Sequence, residues 1–244
     1  MAETFLTTGR KIVAIGRNYR YVATRSINDA WETKCGTLVH SEHAKELNNA
    51  VPETPFFFLK PTSSYLENGN DIELPQGCEV HHEIELAVVI GKDGRDIAAA
   101  EADDYIAGYA LAIDLTARDL QLAAKKKGLP WSASKGFDTF TPISGFIEKE
   151  RIADPANVNG EYRQNGNTKD MIFSIPTLIA HVSSIMKLQV GDVILTGTPK
   201  GVSAIQTGDV VTGGLETEQG QHIMDIKFNV VQRKGGFIND EAKA

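Results

Sequence analysis

Short apolar runs that end at glycine or proline recur along the chain. Lys11–Gly16 is a β-branched run closed by glycine, Phe56–Leu59 lies between prolines, and His81–Gly91 alternates at its start before it becomes continuously apolar. Val193–Thr196 and Lys227–Val231 have the same character later in the chain. Runs of this length, bounded by turn residues, are typical of β-strands.

Two segments have helical rather than strand-like spacing. Asp114–Lys127 begins with capping residues, and Pro176–Lys187 has a proline in its first turn and a broad apolar face. Because the strands do not alternate regularly with helices, the pattern argues against a doubly wound nucleotide-binding fold. We therefore predict a β-rich α+β fold in a single domain over residues 1–244, with a few surface helices and a loose tail at Gly235–Ala244.

Composition and charge exclude several classes of protein. The 244 residues carry a formal net charge of −7, which disfavours binding to nucleic acid or to an anionic membrane surface. Cys35 and Cys78 are too few for a disulfide scaffold or a structural zinc site. No apolar run approaches the roughly 18 to 20 residues that span a bilayer. We expect a soluble protein of the cytoplasm or the mitochondrial matrix, with no membrane partner.

Three acidic residues are the strongest candidates for chemistry. Glu83 and Glu85 lie two apart in a predicted strand, so their carboxylates share one face about 7 Å apart along the backbone. Asp114 ends the apolar run 107–113, where an uncompensated carboxylate is costly. Solvated strand residues and a helix N-cap are the alternative roles. If the three converge, they need a cation, and all-oxygen ligands favour Mg²⁺, with Mn²⁺ or Ca²⁺ as substitutes.

Further polar residues have weaker signals. His43 and Glu46 are spaced i, i+3 in a short run of helix formers, where the carboxylate can orient an imidazole that acts on water. Lys135 lies in a segment of small residues that lets a substrate approach. Gly197–Gly201 offers backbone donors and a hydroxyl that can bind a carboxylate, but it lacks the spacing of a P-loop. Surface positions and a plain turn are the alternatives.

Eight motifs together resemble the fumarylacetoacetate hydrolase superfamily, in its acylpyruvase and oxaloacetate-handling branch. They are GRNY at 16–19, HAKEL at 43–47, FLKP at 58–61, HHEIEL at 81–86, GYALAIDLTARDLQ at 108–121, KKKGLPW at 125–131, SKGFDTFTP at 134–142 and GDVILTGTPKGV at 191–202. The resemblance covers a core of about residues 10–234. It implies a roll of mixed β-sheets, usually in a homodimer, that holds a divalent cation.

The resemblance also implies a role for each matching residue. The metal ligands are Glu83, Glu85 and Asp114, and the water-activating dyad on a lid is His43 with Glu46. Lys135 lies beside the reacting carbonyl and Gln121 positions the reactants. The motifs associated with holding the substrate contain Arg17, Tyr19 and Thr198.

The implied substrate is a small α-keto acid, whose adjacent carboxylate and keto oxygens chelate Mg²⁺. Hydrolysis of the carbon–carbon bond of an acylpyruvate, to a carboxylate and pyruvate, is the main prediction. Decarboxylation or keto–enol tautomerisation of oxaloacetate in the same site is the alternative. A catalytically weakened, metal-binding scaffold is a second alternative.

One segment departs from the pattern of the superfamily. Relatives pass from the GRNY turn to the lid histidine within a few residues, whereas here residues 20–42 intervene. Long loops without regular structure are uncommon inside compact domains. We interpret 20–42 as an inserted surface loop, and because it adjoins His43 it bears on closure of the lid.

Overall fold

The structure is a computed structural model that describes residues 5–19, 52–152, 158–159, 164–217 and 219–239. The predictions made for His43, Glu46 and the loop 20–42 lie outside the described residues. No helix in the described ranges is both long and apolar enough to cross a membrane.

Short strands make up most of the regular structure. The strands are β1 (Ile12–Gly16), β2 (Phe56–Lys60), β3 (Tyr65–Glu67), β4 (Asp71–Leu74), β5 (Val80–His82), β6 (Ile84–Ile90), β7 (Ile106–Ile113), β8 (Thr116–Ala117), β9 (Thr141–Ile143), β10 (Ile147–Glu148), β11 (Val158–Asn159), β12 (Val193–Leu195), β13 (Ser203–Ile205), β14 (Val210–Thr217) and β15 (His222–Gln232). The α-helices are α1 (Phe5–Thr8), α2 (Arg118–Lys127), α3 (Ser132–Lys135) and α4 (Ile175–Ile185).

The strands form two sheets of mixed direction and a third, antiparallel sheet, which confirms the predicted fold class. The largest sheet has the order β2-β1-β12-β6-β7-β9-β3, with β10 also paired to β7. Strands β1 and β12 are parallel, whereas β6 is antiparallel to both β12 and β7. The second sheet has the order β11-β14-β15-β4 and the third has the order β13-β5-β8.

Both faces of the largest sheet are buried at its central strand β6. On one face Leu86, Val88 and Ile90 of β6 pack in the main core, to which α4 and β15 also contribute. On the other face Ala87 and Val89 pack in a second cluster with Phe5 of α1. Burial of both faces explains why β6 is continuously apolar rather than alternating.

The observed boundaries correct three details of the sequence prediction. The run His81–Gly91 is two strands, because the chain leaves the strand pattern at Glu83 between β5 and β6. Helix α2 starts at Arg118, and its N-cap is Ala117 rather than Asp114, since Thr116 and Ala117 first pair with β5 as a short strand. The tail is anchored as far as Asn239, whose side chain donates to Asp119 Oδ2 at 2.5 Å.

A buried carboxylate joins the start of β1 to the turn before β12. Asp192 is 0% exposed and accepts hydrogen bonds from the backbone N–H groups of Arg10 at 3.0 Å, Lys11 at 3.2 Å and Gln189 at 2.8 Å. It also pairs with the ammonium of Lys11. The parallel pairing of β1 with β12, two central strands of the sheet, therefore starts at this carboxylate.

We predict that Asp192→Ala lowers the free energy of unfolding by about 3 kcal/mol, because it leaves buried donors and a cation without their acceptor. Asp209→Ala is the matched control, since Asp209 follows glycine in a similar turn but caps only the N–H of Gln206 at a half-buried site. The control should lose less than about 1 kcal/mol. Urea unfolding followed by circular dichroism measures both, and equal losses would contradict the assignment.

Candidate metal centre

Strand pairing brings the three predicted metal ligands together. In the antiparallel pair β6–β7, Ile84 lies opposite Ile113 and Glu85 opposite Ala112. The next position along each strand therefore places Glu83 beside Asp114, whose N–H donates to the Glu83 carbonyl oxygen at 2.8 Å. Carboxylate oxygens of Glu83, Glu85 and Asp114 all lie within 4.8 Å of one another. The predicted convergence of these residues is thus present in the fold.

Cations from two helices meet this acidic cluster. The Lys135 ammonium, at the end of α3, lies 2.8 Å from Glu83 Oε2 and 2.5 Å from Asp114 Oδ2. The Arg118 guanidinium, at the start of α2, lies 2.8 Å from Glu83 Oε1 and donates to Gln121 Oε1 at 2.7 Å. Lys135 is a buried member of the site, and Gln121 reaches the site through Arg118.

A third cation approaches from the edge strand β2. The Lys60 ammonium lies 2.5 Å from Asp114 Oδ1, and the side chains of both residues are almost fully buried. Phe58, two residues earlier on the same face of β2, places its ring centroid 4.8 Å from the Lys135 ammonium. Such a cation–π contact stabilises a charge in an apolar setting.

The turn after β12 binds Glu85 directly. The Gly197 N–H donates to Glu85 Oε2 at 2.7 Å, and the Thr198 hydroxyl donates to the Ile84 carbonyl oxygen at 2.8 Å. Gly197 has a φ of 97°, and a Cβ there would lie 2.8 Å from that of Asn18. Glycine is therefore required for this turn to bring its N–H to the carboxylate.

Unequal surroundings give the two glutamates opposite pKa shifts. Burial by itself would raise the pKa of Glu83, but the charges of Lys135 and Arg118 outweigh burial and hold that pKa at about 2. Burial, Asp114 and Glu83 raise the pKa of Glu85 well above its ordinary value, and Lys135 and the Gly197 N–H offset this only in part. No described basic side chain forms an ion pair with Glu85, so it is the carboxylate most in need of a cation.

The pKa values of two predicted site residues, Lys135 and Tyr19, are both raised, but by different causes. Burial opposes the charged form of Lys135, but Asp114 and Glu83 outweigh it and raise the pKa of Lys135. Burial, followed by the charge of Glu85, raises the pKa of Tyr19 and keeps its phenol neutral. Both groups can therefore donate a proton or a hydrogen bond at neutral pH.

The predicted substrate-binding residues are placed unequally. Tyr19 is buried and lines a pocket that Glu85, Gln164 and Pro199 also line. Thr198 lies at the metal centre through its bond to Ile84, as described above. Arg17 is exposed and has a φ of 57°, so the structure does not bring its side chain into the buried cluster.

Two buried amides hold the site and were not identified from the sequence. Asn18 donates to the carbonyl oxygens of Thr196 at 2.9 Å and Phe173 at 3.1 Å, so the GRNY turn is fastened to the end of β12. Gln164 accepts from the Ile84 N–H at 2.9 Å and donates to the Thr198 hydroxyl at 2.7 Å. Asn18 lies in the GRNY motif, which was the sequence signal for it, whereas no sequence signal pointed to Gln164.

The donor set fits a hard divalent cation. Three carboxylates supply oxygen ligands in a mostly buried cluster, with Glu83 13% exposed as the route to solvent. Neither histidine nor cysteine belongs to the cluster found among the described residues. Oxygen-only ligation of this kind suits Mg²⁺, Mn²⁺ or Ca²⁺ and does not suit zinc.

Known proteins share both the sequence and the fold. The fumarylacetoacetate (FAA) hydrolase C-terminal family matches residues 11–231. A mitochondrial oxaloacetate decarboxylase of Dictyostelium discoideum is 49% identical over 94% of this chain and 98% of its own. A mitochondrial oxaloacetate tautomerase of Arabidopsis thaliana is 48% identical over 96% of each chain. The crystal structure of yeast ynq8, a fumarylacetoacetate hydrolase family protein, superposes with a TM-score of 0.79 at 35% identity over 98% of this chain and 99% of its own.

The described β-rich scaffold carries a buried acidic cluster that could hold a metal ion, and the relatives that share this fold are named as enzymes. The chain belongs to the fumarylacetoacetate hydrolase family, as its motifs indicated. Two of its relatives are named as an oxaloacetate decarboxylase and an oxaloacetate tautomerase. Oxaloacetate chemistry was the alternative to acylpyruvate hydrolysis in the sequence prediction.

We predict that Glu85→Gln weakens Mn²⁺ binding by more than about 100-fold, the upper limit of what a merely supporting residue costs. Glutamine keeps the size and an acceptor for the Gly197 N–H but removes the charge. Glu79→Gln is the control, because Glu79 is 62% exposed and pairs with His81 outside the cluster. Isothermal titration with Mn²⁺ measures both variants. Unchanged affinity in the Glu85 variant would exclude this residue as a ligand.

Proposed function

We propose that this protein is a Mg²⁺-dependent oxaloacetate keto–enol tautomerase of the mitochondrion. The close relatives named above support oxaloacetate over the acylpyruvate of the main sequence prediction. Their printed mitochondrial location supports the compartment. The homodimer implied by the family resemblance remains a prediction.

The charge of the buried cluster is the observation that carries the choice of substrate. With Glu85 ionised, as a metal ligand must be, and with Lys60 protonated against Asp114, three carboxylates face three cations, Lys60, Arg118 and Lys135, and these described groups balance. Adding a divalent cation leaves two positive charges in a buried site, where unpaired charge is costly. Oxaloacetate is a dianion and compensates both charges, whereas an acylpyruvate such as acetylpyruvate carries one carboxylate and compensates one.

Glu83, Glu85 and Asp114 would hold the metal ion, which supplies a Lewis acid that polarises the keto oxygen and stabilises enolate charge. Lys135 would supply a cationic donor for the same developing charge, because its ammonium contacts two of the three carboxylates. Arg118 donates to Glu83 and to Gln121, the residue that the family resemblance assigns to positioning the reactants.

Tautomerisation moves one proton and leaves every other atom in place. The C–H bond beside the keto group breaks, its electron pair forms the enolate, and a proton is delivered to the enolate oxygen. Lys135 is held protonated by Asp114 and Glu83, so it serves as a donor rather than as the base. The family resemblance makes His43 with Glu46 a water-activating dyad, and we propose the same imidazole as the base for this reaction; both residues lie outside the described residues.

Decarboxylation of oxaloacetate is the second candidate function. It is supported by the relative that is 49% identical to this chain and is named an oxaloacetate decarboxylase. Here the bond between C3 and the distal carboxylate breaks, CO₂ leaves, and the electron pair forms the enolate of pyruvate. The enolate is then protonated on carbon. Since both reactions generate an enolate next to the same carboxylate, one arrangement of charges serves both.

We predict Mg²⁺-dependent turnover of oxaloacetate that is lost on chelation and restored by Mg²⁺, because the acidic cluster needs its cation to stabilise an enolate. Oxaloacetate and acetylpyruvate are assayed side by side for enol content, CO₂, pyruvate and acetate. Rapid enol equilibration supports the tautomerase and CO₂ release supports the decarboxylase. If acetate formation were the dominant activity, the protein would be assigned to acylpyruvate hydrolysis instead. If neither substrate were turned over, the metal-binding scaffold would be favoured.

We predict that Lys135→Met lowers kcat for oxaloacetate by about 10² to 10³, the loss typical of removing one donor to a developing oxyanion. The expected reason is loss of the ammonium that faces the reacting carbonyl. Lys127→Met is the control, because Lys127 is an exposed lysine at the end of α2. Steady-state kinetics at saturating Mg²⁺ tests both, and a Lys135 variant with normal kcat would remove this residue from the mechanism.

A further inference from the structure

Lys60 is a buried lysine to which the proposed reaction assigns no step. It is the last residue of β2 and is 2% exposed overall, with none of its side chain exposed. Lysine is almost never fully buried unless it is paired. The position of Lys60 therefore calls for a reason that surface lysines do not need.

The Lys60 ammonium is held by backbone as well as by charge. It lies 2.5 Å from Asp114 Oδ1, 2.8 Å from the Phe140 carbonyl oxygen and 3.5 Å from the Leu115 carbonyl oxygen. Those three acceptors match the three donors of an ammonium group. The Leu115 N–H also donates to Phe140 O at 3.0 Å, so the two carbonyls belong to one connected piece of backbone.

The chain just after Lys60 is fixed as well. Ser64 donates to the Pro61 carbonyl oxygen at 2.6 Å, and its hydroxyl lies 2.7 Å from that of Thr141 at the start of β9. Thr141 follows Phe140 directly in the sequence. The segment just after Lys60 is therefore hydrogen-bonded to Thr141, the residue that follows Phe140, and the Phe140 carbonyl in turn accepts from the Lys60 ammonium.

Lys60 and Lys135 contact Asp114 in different ways. Lys135 binds Oδ2 and shares itself with Glu83 Oε2, so both of its partners are predicted metal ligands. Lys60 binds Oδ1, and its other acceptors are main-chain carbonyls. Each lysine thus binds a different oxygen of Asp114, and Lys60 is the one that also has acceptors outside the acidic cluster.

We propose that Lys60 is a positioning residue for the metal centre: it holds Asp114 by Oδ1, so that Oδ2 stays turned toward Glu83, the residue with which Asp114 would hold the metal. The proposal rests on the metal site of the proposed function but not on its substrate. Supporting residues that orient a metal ligand typically contribute 10- to 100-fold to metal affinity.

A role as a simple counter-charge predicts the opposite sign. If Lys60 only neutralised Asp114, its removal would make the cluster more negative and would tighten binding of a divalent cation. If Lys60 positions Asp114, its removal lets the carboxylate turn and weakens binding. The direction of the change in metal affinity therefore separates the two roles.

The test is Lys60→Met, which keeps most of the aliphatic stem and removes the ammonium. Isothermal titration and electron paramagnetic resonance report the affinity of the full chain for Mn²⁺, and circular dichroism reports folding. We expect 10- to 100-fold weaker binding. Lys187→Met is the matched control, because Lys187 pairs with Asp93 at an exposed site and should leave the affinity unchanged.

Lys60→Gln is the second variant, which is neutral but retains two N–H donors. We expect its loss of affinity to be smaller than that of the Met variant. Unchanged or tighter binding in folded Lys60 variants would overturn the proposal, as would failure of both to fold, which would assign Lys60 to stability alone. Absence of Mn²⁺ binding by the unsubstituted protein would overturn the proposal and the metal site together. Weaker binding by the variants with no oxaloacetate turnover by the unsubstituted protein would uphold Lys60 and reject the substrate.

Discussion

Mutual repulsion among three carboxylates in a largely buried setting is the constraint around which this structure is arranged. Strand pairing places carboxylate oxygens of Glu83, Glu85 and Asp114 within 4.8 Å of one another. Without compensating groups, repulsion between the carboxylates would oppose this arrangement. Cations and backbone donors must therefore be brought to the same place. Each comes from a different part of the chain, so the electrostatics of the site also fix the elements around it.

The consequences are visible in how the elements meet. Lys135 brings the short helix α3 to the end of β7, and Arg118 brings the start of α2 to the gap between β5 and β6. Lys60 ties the edge strand β2 to the same point. Gly197 supplies a neutral donor from the loop after β12. Because a buried ion pair is weak evidence of net stability, this network is better understood as fixing geometry than as strengthening the fold.

Local patterns predicted which three carboxylates come together but could not predict how the chain bends to bring them there. The spacing of Glu83 and Glu85, together with Asp114 at the end of an apolar run, was enough to suggest a cation site. The preference of aspartate for the N-cap position favoured Asp114 as the start of a helix. In the structure Thr116 pairs with β5, so the helix begins later and the Asp114 carboxylate binds two lysines instead. Tertiary contact overrode a local preference there.

Neutral side chains were the least predictable part of the site. Gln164 joins Ile84 to the turn at Thr198, yet a glutamine far along the chain carries no charge pattern or periodicity that would reveal this. The sequence left the Gly197–Gly201 turn as either a carboxylate-binding turn or a plain turn, and in the structure its Gly197 N–H binds the carboxylate of Glu85. A turn that supports a ligand and a turn that holds substrate need the same donors, so sequence alone does not separate them.

Family membership narrows the chemistry further than the metal centre does. Hydrolysis of an acylpyruvate, decarboxylation and tautomerisation all develop negative charge on the same keto oxygen, so the carboxylates and Lys135 serve each equally well. The reactions differ in what removes a proton or delivers water, and that step belongs to groups beyond the acidic cluster. Under the proposed function the cluster distinguishes substrates by their charge, because its described carboxylates and cations cancel once Glu85 is ionised and a divalent ion then adds two positive charges. Selection by charge favours a keto acid with two carboxylates and thus agrees with relatives named for oxaloacetate.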